Sequence, residues 1–135
     1  MKINAYLSFN GQCEEAFKFY EKVLNGKIEY MARFADMPEG AQMVGSEHLI
    51  IHAHMTVGEN ELMGADAPPS YFEKAQGMHV SLHVDSAAEA DRIFAALSDG
   101  GNVTMPIGET SWATRFAMLV DRFGTPWIIN NAKPM

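Results

Sequence analysis

The residues best suited to chemistry in this chain are its five histidines, His48, His52, His54, His79 and His83. Side chains alternate between faces along an extended strand, so His52 shares a face with His54, and His79 shares one with Ser81 and His83. Imidazole changes charge near pH 6.5 and both donates and accepts, which suits it to hydrogen-bonding an organic ligand. The competing role is an ordinary strand residue with backbone or water partners. Cys13 invites a nucleophile reading because helix N-termini stabilise thiolates. Its place in an apolar helical stripe makes it a small buried residue instead. Trp112 could wall a pocket with its broad apolar face. Trp127 is expected in the core, on the opposite strand face from Ile128.

These residues sit on a recognisable order of elements. Ile3 to Phe9 reads as a strand. Cys13, Ala16, Phe17, Tyr20 and Leu24 follow at helical spacing, and Asn25-Gly26 ends that helix. Strand patterns return at Lys27 to Phe34, His48 to Val57 and Glu61 to Ala65, with a loop from Asp36 to Gly45. After a long connection, Ala67 to Gly77, the order repeats. His79 to Asp85 is a strand, and Ser86 with Glu89 forms a capping-box pair. Ala90, Phe94 and Leu97 continue a helical stripe as far as Gly100-Gly101. Val103 to Gly108, Thr114 to Val120 and Trp127 to Asn130 complete the set, with Asp121 to Gly124 as a turn. The order is βαβββ twice, and Gly26 and Gly100 close the two helices at an offset of about 75 residues. We therefore expect an α+β fold of two paired βαβββ modules forming a curved mixed sheet. Module one spans about 1–66 and module two about 78–135 of a single domain, 1–135, since neither half is large enough for an independent core.

Composition bounds the partners. The chain has 135 residues, 47% of them apolar and 20% charged, the balance of a globular protein. Ten basic against 17 acidic residues leave a formal charge of −7, which disfavours nucleic acid and anionic membranes. The single cysteine forms no internal disulfide, and neither a signal peptide nor an apolar membrane-length run is evident. The expected location is the cytoplasm. Ten methionines are an unusual number, and such flexible side chains fill core gaps or line adaptable surfaces.

Several blocks resemble a known family. They are Tyr6 to Gly11, the helix start Cys13-Glu14-Glu15-Ala16, Phe19-Tyr20, Ile51 to His54, and Met63 to Asp66 with Pro68. Glu109 to Ala113 and the run Asp121 to Asn130 complete the match. Together they resemble the PhnB/YjdN-like proteins of the vicinal-oxygen-chelate superfamily, which includes glyoxalase I, extradiol dioxygenases and bleomycin-resistance proteins. The resemblance implies paired modules curled into a glyoxalase-like cup, usually in a homodimer. It also implies a divalent metal held by His and Glu on four strands. Carried over by position, those ligands fall on Asn4 or Ala5, on Met63, on His79 and on Ile128, so only His79 has a ligand's chemistry.

The expected function is binding of a small organic molecule in the cup without the usual metal or any other cofactor. The ligand contacts expected are His52, His54, Met63, His79, Ser81 and Trp112, with no catalytic residue assigned. The alternative is a divalent-metal-dependent isomerase, lyase or dioxygenase. It needs Glu61, Asp66 and His54 as replacement ligands, or four imidazoles, those of His52, His54, His79 and His83, converging. A purely structural dimer is a third reading. Some family members carry a name suggesting methylation of a ubiquinone precursor. The Gly-rich strand-to-helix turn and doubly wound alternation of a nucleotide-like cofactor site are absent from the sequence.

Overall fold

The computed structural model describes residues 1–38 and 44–134. The chain divides into two compact units, Met1–Glu73 and Lys74–Met135. Each contains one four-stranded mixed sheet and one long helix. Neither sheet closes into a barrel.

In the first unit, β1 (Ala5–Phe9), α1 (Cys13–Val23), β2 (Lys27–Arg33), β3 (Ile50–Val57) and β4 (Asn60–Asp66) form a sheet ordered β1-β4-β3-β2. β1 runs parallel to β4, and the other neighbours are antiparallel. The helix lays Cys13, Ala16, Phe17, Tyr20 and Val23 against the sheet, so Val23 takes the place expected for Leu24, which caps the helix. Phe9, Phe17 and Tyr20 are fully buried and meet at ring separations of 6.1 to 6.5 Å. Each such burial contributes about 1.5–3 kcal/mol, so this aromatic cluster anchors the helix. A Cβ on Gly64 would stand 2.9 Å from the Phe17 ring and 2.8 Å from Leu7 O. Glycine at that position is what lets the aromatic cluster close on β4. His48 lies in a turn before β3, and Phe34 opens a short 3₁₀ turn, Phe34–Asp36. Part of the expected loop Asp36 to Gly45 lies outside the described residues.

The second unit repeats the plan with β5 (Val80–His83), α2 (Ala87–Ser98), β6 (Asn102–Gly108), β7 (Ala113–Val120) and β8 (Pro126–Ala132), ordered β5-β8-β7-β6. Ser86 caps α2 by accepting from Glu89 N at 3.1 Å. The Glu89 side chain, however, pairs with Arg92, so the capping box is only half made. Ile93, not Phe94, is buried beside Ala90 and Leu97. Asp121 organises the turn into β8. Its Oδ1 accepts from Phe123 N at 2.9 Å and Thr125 N at 3.0 Å, and its Oδ2 accepts from the Trp127 indole at 2.8 Å. Trp127 is fully buried, as expected from its strand face.

The repeat aligns differently at the helix ends than the glycine text suggests. The left-handed residues are Asn25 (φ 54°) and Gly100 (φ 73°). Gly26 corresponds to Gly101, since a Cβ on either would collide with a strand carbonyl, Thr56 O or Val120 O. The two modules thus share one device, a left-handed residue followed by a glycine pressed on the sheet.

Candidate functional site

Strand register builds the candidate site on the face of the first sheet turned away from α1. Parallel pairing puts Tyr6 beside Met63 and Ser8 beside Ala65. Antiparallel pairing puts Met63 beside His54, and then His54 beside Tyr30 and His52 beside Ala32. A row of Tyr6, Met63, His54 and Tyr30 therefore crosses the sheet, with His52 in the next row. The other face carries Phe9, Ala53, Met55 and Leu62, all buried.

His52 is the hub of this face. Its Nδ1 lies 3.0 Å from the Tyr6 hydroxyl, and the two rings stack with centroids 5.7 Å apart. Tyr30 tilts against the same imidazole at 6.0 Å. Tyr6 and Tyr30 keep 51% and 45% of their surface exposed, so two aromatic faces remain available around His52. Burial of the Tyr6 hydroxyl, and then the nearby Cys13 sulfur, push its pKa above the usual phenol range. Tyr6 is therefore a neutral hydrogen-bonding group at neutral pH.

A charged group flanks these rings. Glu61 Oε2 accepts from Asn4 Nδ2 at 3.1 Å and from Lys2 Nζ at 3.4 Å. His54 Nε2 stands 3.2 Å from Glu61 Oε1. This buried nitrogen makes no hydrogen bond in the described residues, to Glu61 or to any other group. Burial opposes ionisation of Glu61, yet Lys2, Asn4 and His54 outweigh it and hold the carboxyl below its ordinary pKa.

The residues expected in ligand contact thus fall into groups. His52, His54 and Met63 are together on the open face of the first unit. Ser81 lies on the equivalent face of the second, beside Ile128 and in contact with His83 at 3.1 Å. His79 stands exposed just before β5, outside the strand that it was expected to open. Trp112 lies between β6 and β7, 55% exposed, with its ring edge-on to Phe116 at 5.3 Å. Sequence reading did not single out Tyr6 and Tyr30 as site residues, although Tyr6 lies in a quoted block. Alternation alone would have placed Tyr6 and Ser8 on one face, but their neighbours on β4 depend on register.

Asp66 is no ligand candidate, because its carboxylate is buried on the helix side, where it accepts from Cys13 N and Ile50 N, both at 2.9 Å. That is a structural knot tying the start of α1 to β3. Cys13 is fully buried, and burial, followed by the charges of Asp66 and Glu14, pushes its thiol far above the ordinary range. A nucleophilic thiolate is not formed there at neutral pH.

The chelating positions that the resemblance implies do not fit a divalent metal. Asn4 commits its amide to Glu61, Met63 offers a thioether, and Ile128 offers no donor at all. Zn, Mn and similar ions take imidazole and carboxylate ligands in sets of three or more. Among the described residues no cluster of three His, Cys, Asp or Glu side chains assembles. The pair His54 and Glu61 is what remains of the proposed replacement set.

Comparison with known proteins agrees with this fold. The family model described as 3-demethylubiquinone-9 3-methyltransferase matches residues 1–130. Protein YjdN of Escherichia coli K12 is 32% identical, over 98% of this chain and 97% of its own. The crystal structure of PA1353 from Pseudomonas aeruginosa is 45% identical and superposes with a TM-score of 0.91, covering 99% of both chains. A PhnB protein from Bacillus cereus is 28% identical, with a TM-score of 0.83 over 98% of this chain and 100% of that one. The fold alone is shared with a glyoxylase/bleomycin resistance protein/dioxygenase domain from Frankia, at 14% identity, a TM-score of 0.65 and 98% coverage of each chain. Matched along nearly all its length, the chain belongs to the 3-demethylubiquinone-9 3-methyltransferase family, with YjdN and PhnB proteins among its relatives.

Proposed function

We propose that this PhnB-like protein binds a small planar organic molecule on the open face of its first sheet, without the superfamily's usual metal. The observation that carries the reading is the three-ring group of Tyr6, His52 and Tyr30, whose two tyrosines are half exposed around one imidazole. Stacking on such rings contributes about 0.5–1.5 kcal/mol per pair beyond area burial. His52 and the neutral Tyr6 hydroxyl offer hydrogen bonds at the edge of that surface. Met63 lies in the same face as an apolar floor, where the chelating superfamily members have a carboxylate. His54 and Glu61 border it with polarity. On the second unit, His79, Ser81 and Trp112 are the proposed ligand contacts. The two units are proposed to act as one domain, in a cytoplasmic homodimer, as the superfamily resemblance implies. A metal-assisted reaction at the chelating positions lacks the donors it would need.

Saturation-transfer NMR against a panel of planar aromatic and heteroaromatic carbonyl compounds tests the reading. Binders are expected whose signal falls in Tyr30→Ala and His52→Ala protein. A panel without binders, or binders indifferent to both substitutions, would overturn it. No helix among the described residues is long and apolar enough to cross a membrane.

A further inference from the structure

The second unit carries a line of polar side chains that begins at Ser81, itself a proposed ligand contact, and that does not involve the Tyr6, His52 and Tyr30 group of the first unit. Ser81 and His83 alternate onto the same face of β5, and Ser81 Oγ lies 3.1 Å from His83 Nε2. On the neighbouring strand, Asn130 pairs with His83 in register, and its amide nitrogen lies 3.4 Å from His83 Nδ1. Asn130 is 9% exposed, and its Oδ1 is buried with no hydrogen-bond partner in the described residues. Ser81 and His83 are both exposed, so a reagent can reach them.

The direction of this line decides its chemistry. With the Asn130 amide donating to Nδ1, the imidazole carries its proton on Nε2 and donates to Ser81. Turning the amide over places the orphaned Oδ1 on an Nδ1–H instead. Nε2 is then a lone pair facing the Ser81 hydroxyl, the order of nucleophile, base and orienting group used in acyl transfer. The second direction gives the orphaned Oδ1 a donor and the first gives Nδ2 an acceptor, and the contacts of the amide admit both.

We propose that Ser81, His83 and Asn130 form a nucleophilic site that reacts with activated acyl or phosphonyl compounds. Ser81 Oγ attacks the electrophilic carbon or phosphorus while its proton passes to His83 Nε2. The bond to the leaving group breaks, releasing fluoride from a fluorophosphonate or p-nitrophenolate from an activated ester. His83 gives that proton up to solvent, and water then cleaves acyl-Ser81, with Nε2 taking the water's proton and returning it to the Ser81 oxygen as the acid leaves. Asn130 is a positioning residue, holding the imidazole tautomer. No pair of oxyanion donors accompanies these three in the described contacts, so the reaction is confined to substrates with good leaving groups.

A fluorophosphonate probe on the intact protein, read by mass spectrometry with peptide mapping, tests this directly. A single adduct on Ser81 is expected, absent in Ser81→Ala protein and formed roughly 100-fold more slowly in His83→Ala protein, the lower end of general-base assistance. No adduct, an adduct elsewhere, or an unchanged rate without His83 would overturn the proposal. The wild-type mapping decides the matter even if a variant fails to fold. Aromatic-ligand binding at Tyr6 and Tyr30 is a separate readout, so failure of one proposal is distinguishable from failure of the other.

Discussion

Replacing Asp66 with alanine separates a structural carboxylate from a metal ligand. The side chain is 3% exposed and accepts two backbone N–H bonds, from Cys13 and from Ile50, each at 2.9 Å. Both donors belong to residues with almost no exposure, so water does not replace the lost acceptor. Hydrogen bonds to a charged group contribute about 1.5–3 kcal/mol each, which puts the cost of Asp66→Ala near 3–6 kcal/mol. An unfolding entropy of about 2.1 cal/mol/K per residue over 135 residues gives about 0.28 kcal/mol/K. The melting temperature should therefore fall by about 11–21 °C. Asp66→Asn should fall nearly as far, because its amide nitrogen would face one of the two N–H groups. The assay is circular-dichroism melting with chelator and with added zinc or manganese. A loss under about 3 °C would refute the hydrogen-bond reasoning. So would a gap between wild type and variant that opens only with metal, since that is what a metal ligand produces.

Cys13 should resist alkylation in the folded protein and react at the ordinary rate once unfolded, which mass spectrometry after iodoacetamide treatment will show. Gly101→Ala should cost about 1–3 kcal/mol, the range for overpacking, because its Cβ would press on Val120 O; urea unfolding reads this. Tyr30→Ala should weaken an aromatic binder by about 2- to 10-fold by titration, leaving thermal stability nearly unchanged. Glu61 should titrate below the ordinary glutamate value of about 4.3 in carbon-detected NMR, and closer to it in Lys2→Ala protein. Because the folded-state pKa is the lower one, the stability from this ion pair is fully present above the ordinary value. It is lost as acid carries the pH down through the folded value.

The helical spacing of Cys13, Ala16, Phe17 and Tyr20 was enough to place α1, because that stripe faces a sheet and its period is local. In α2 the same reasoning chose Phe94 where Ile93 is buried, since both lie next to the stripe and only packing decides between them. The doubled βαβββ order was legible, yet its alignment slipped by one at the glycines. Gly26 and Gly101 correspond through contact with strand carbonyls, which no local pattern encodes. His52 and His54 were assigned to one face correctly by alternation. Their partners were not visible, because Tyr6 and His52 are 46 positions apart and Asn4 and Glu61 are 57 apart. Strand register, not residue type, makes those neighbours. Asp66 was misread for the opposite reason. An acid at a strand end suggests a ligand by type, whereas its use by two buried backbone donors depends on where α1 begins.

A crystal structure of the protein with an aromatic compound from the NMR screen tests the central claim most directly. The account predicts the ring of that compound stacked against Tyr6 or Tyr30, with a polar atom within hydrogen-bonding distance of His52 or the Tyr6 hydroxyl, and no metal at Met63. A compound bound away from this face, or one held through a metal ion, would contradict it.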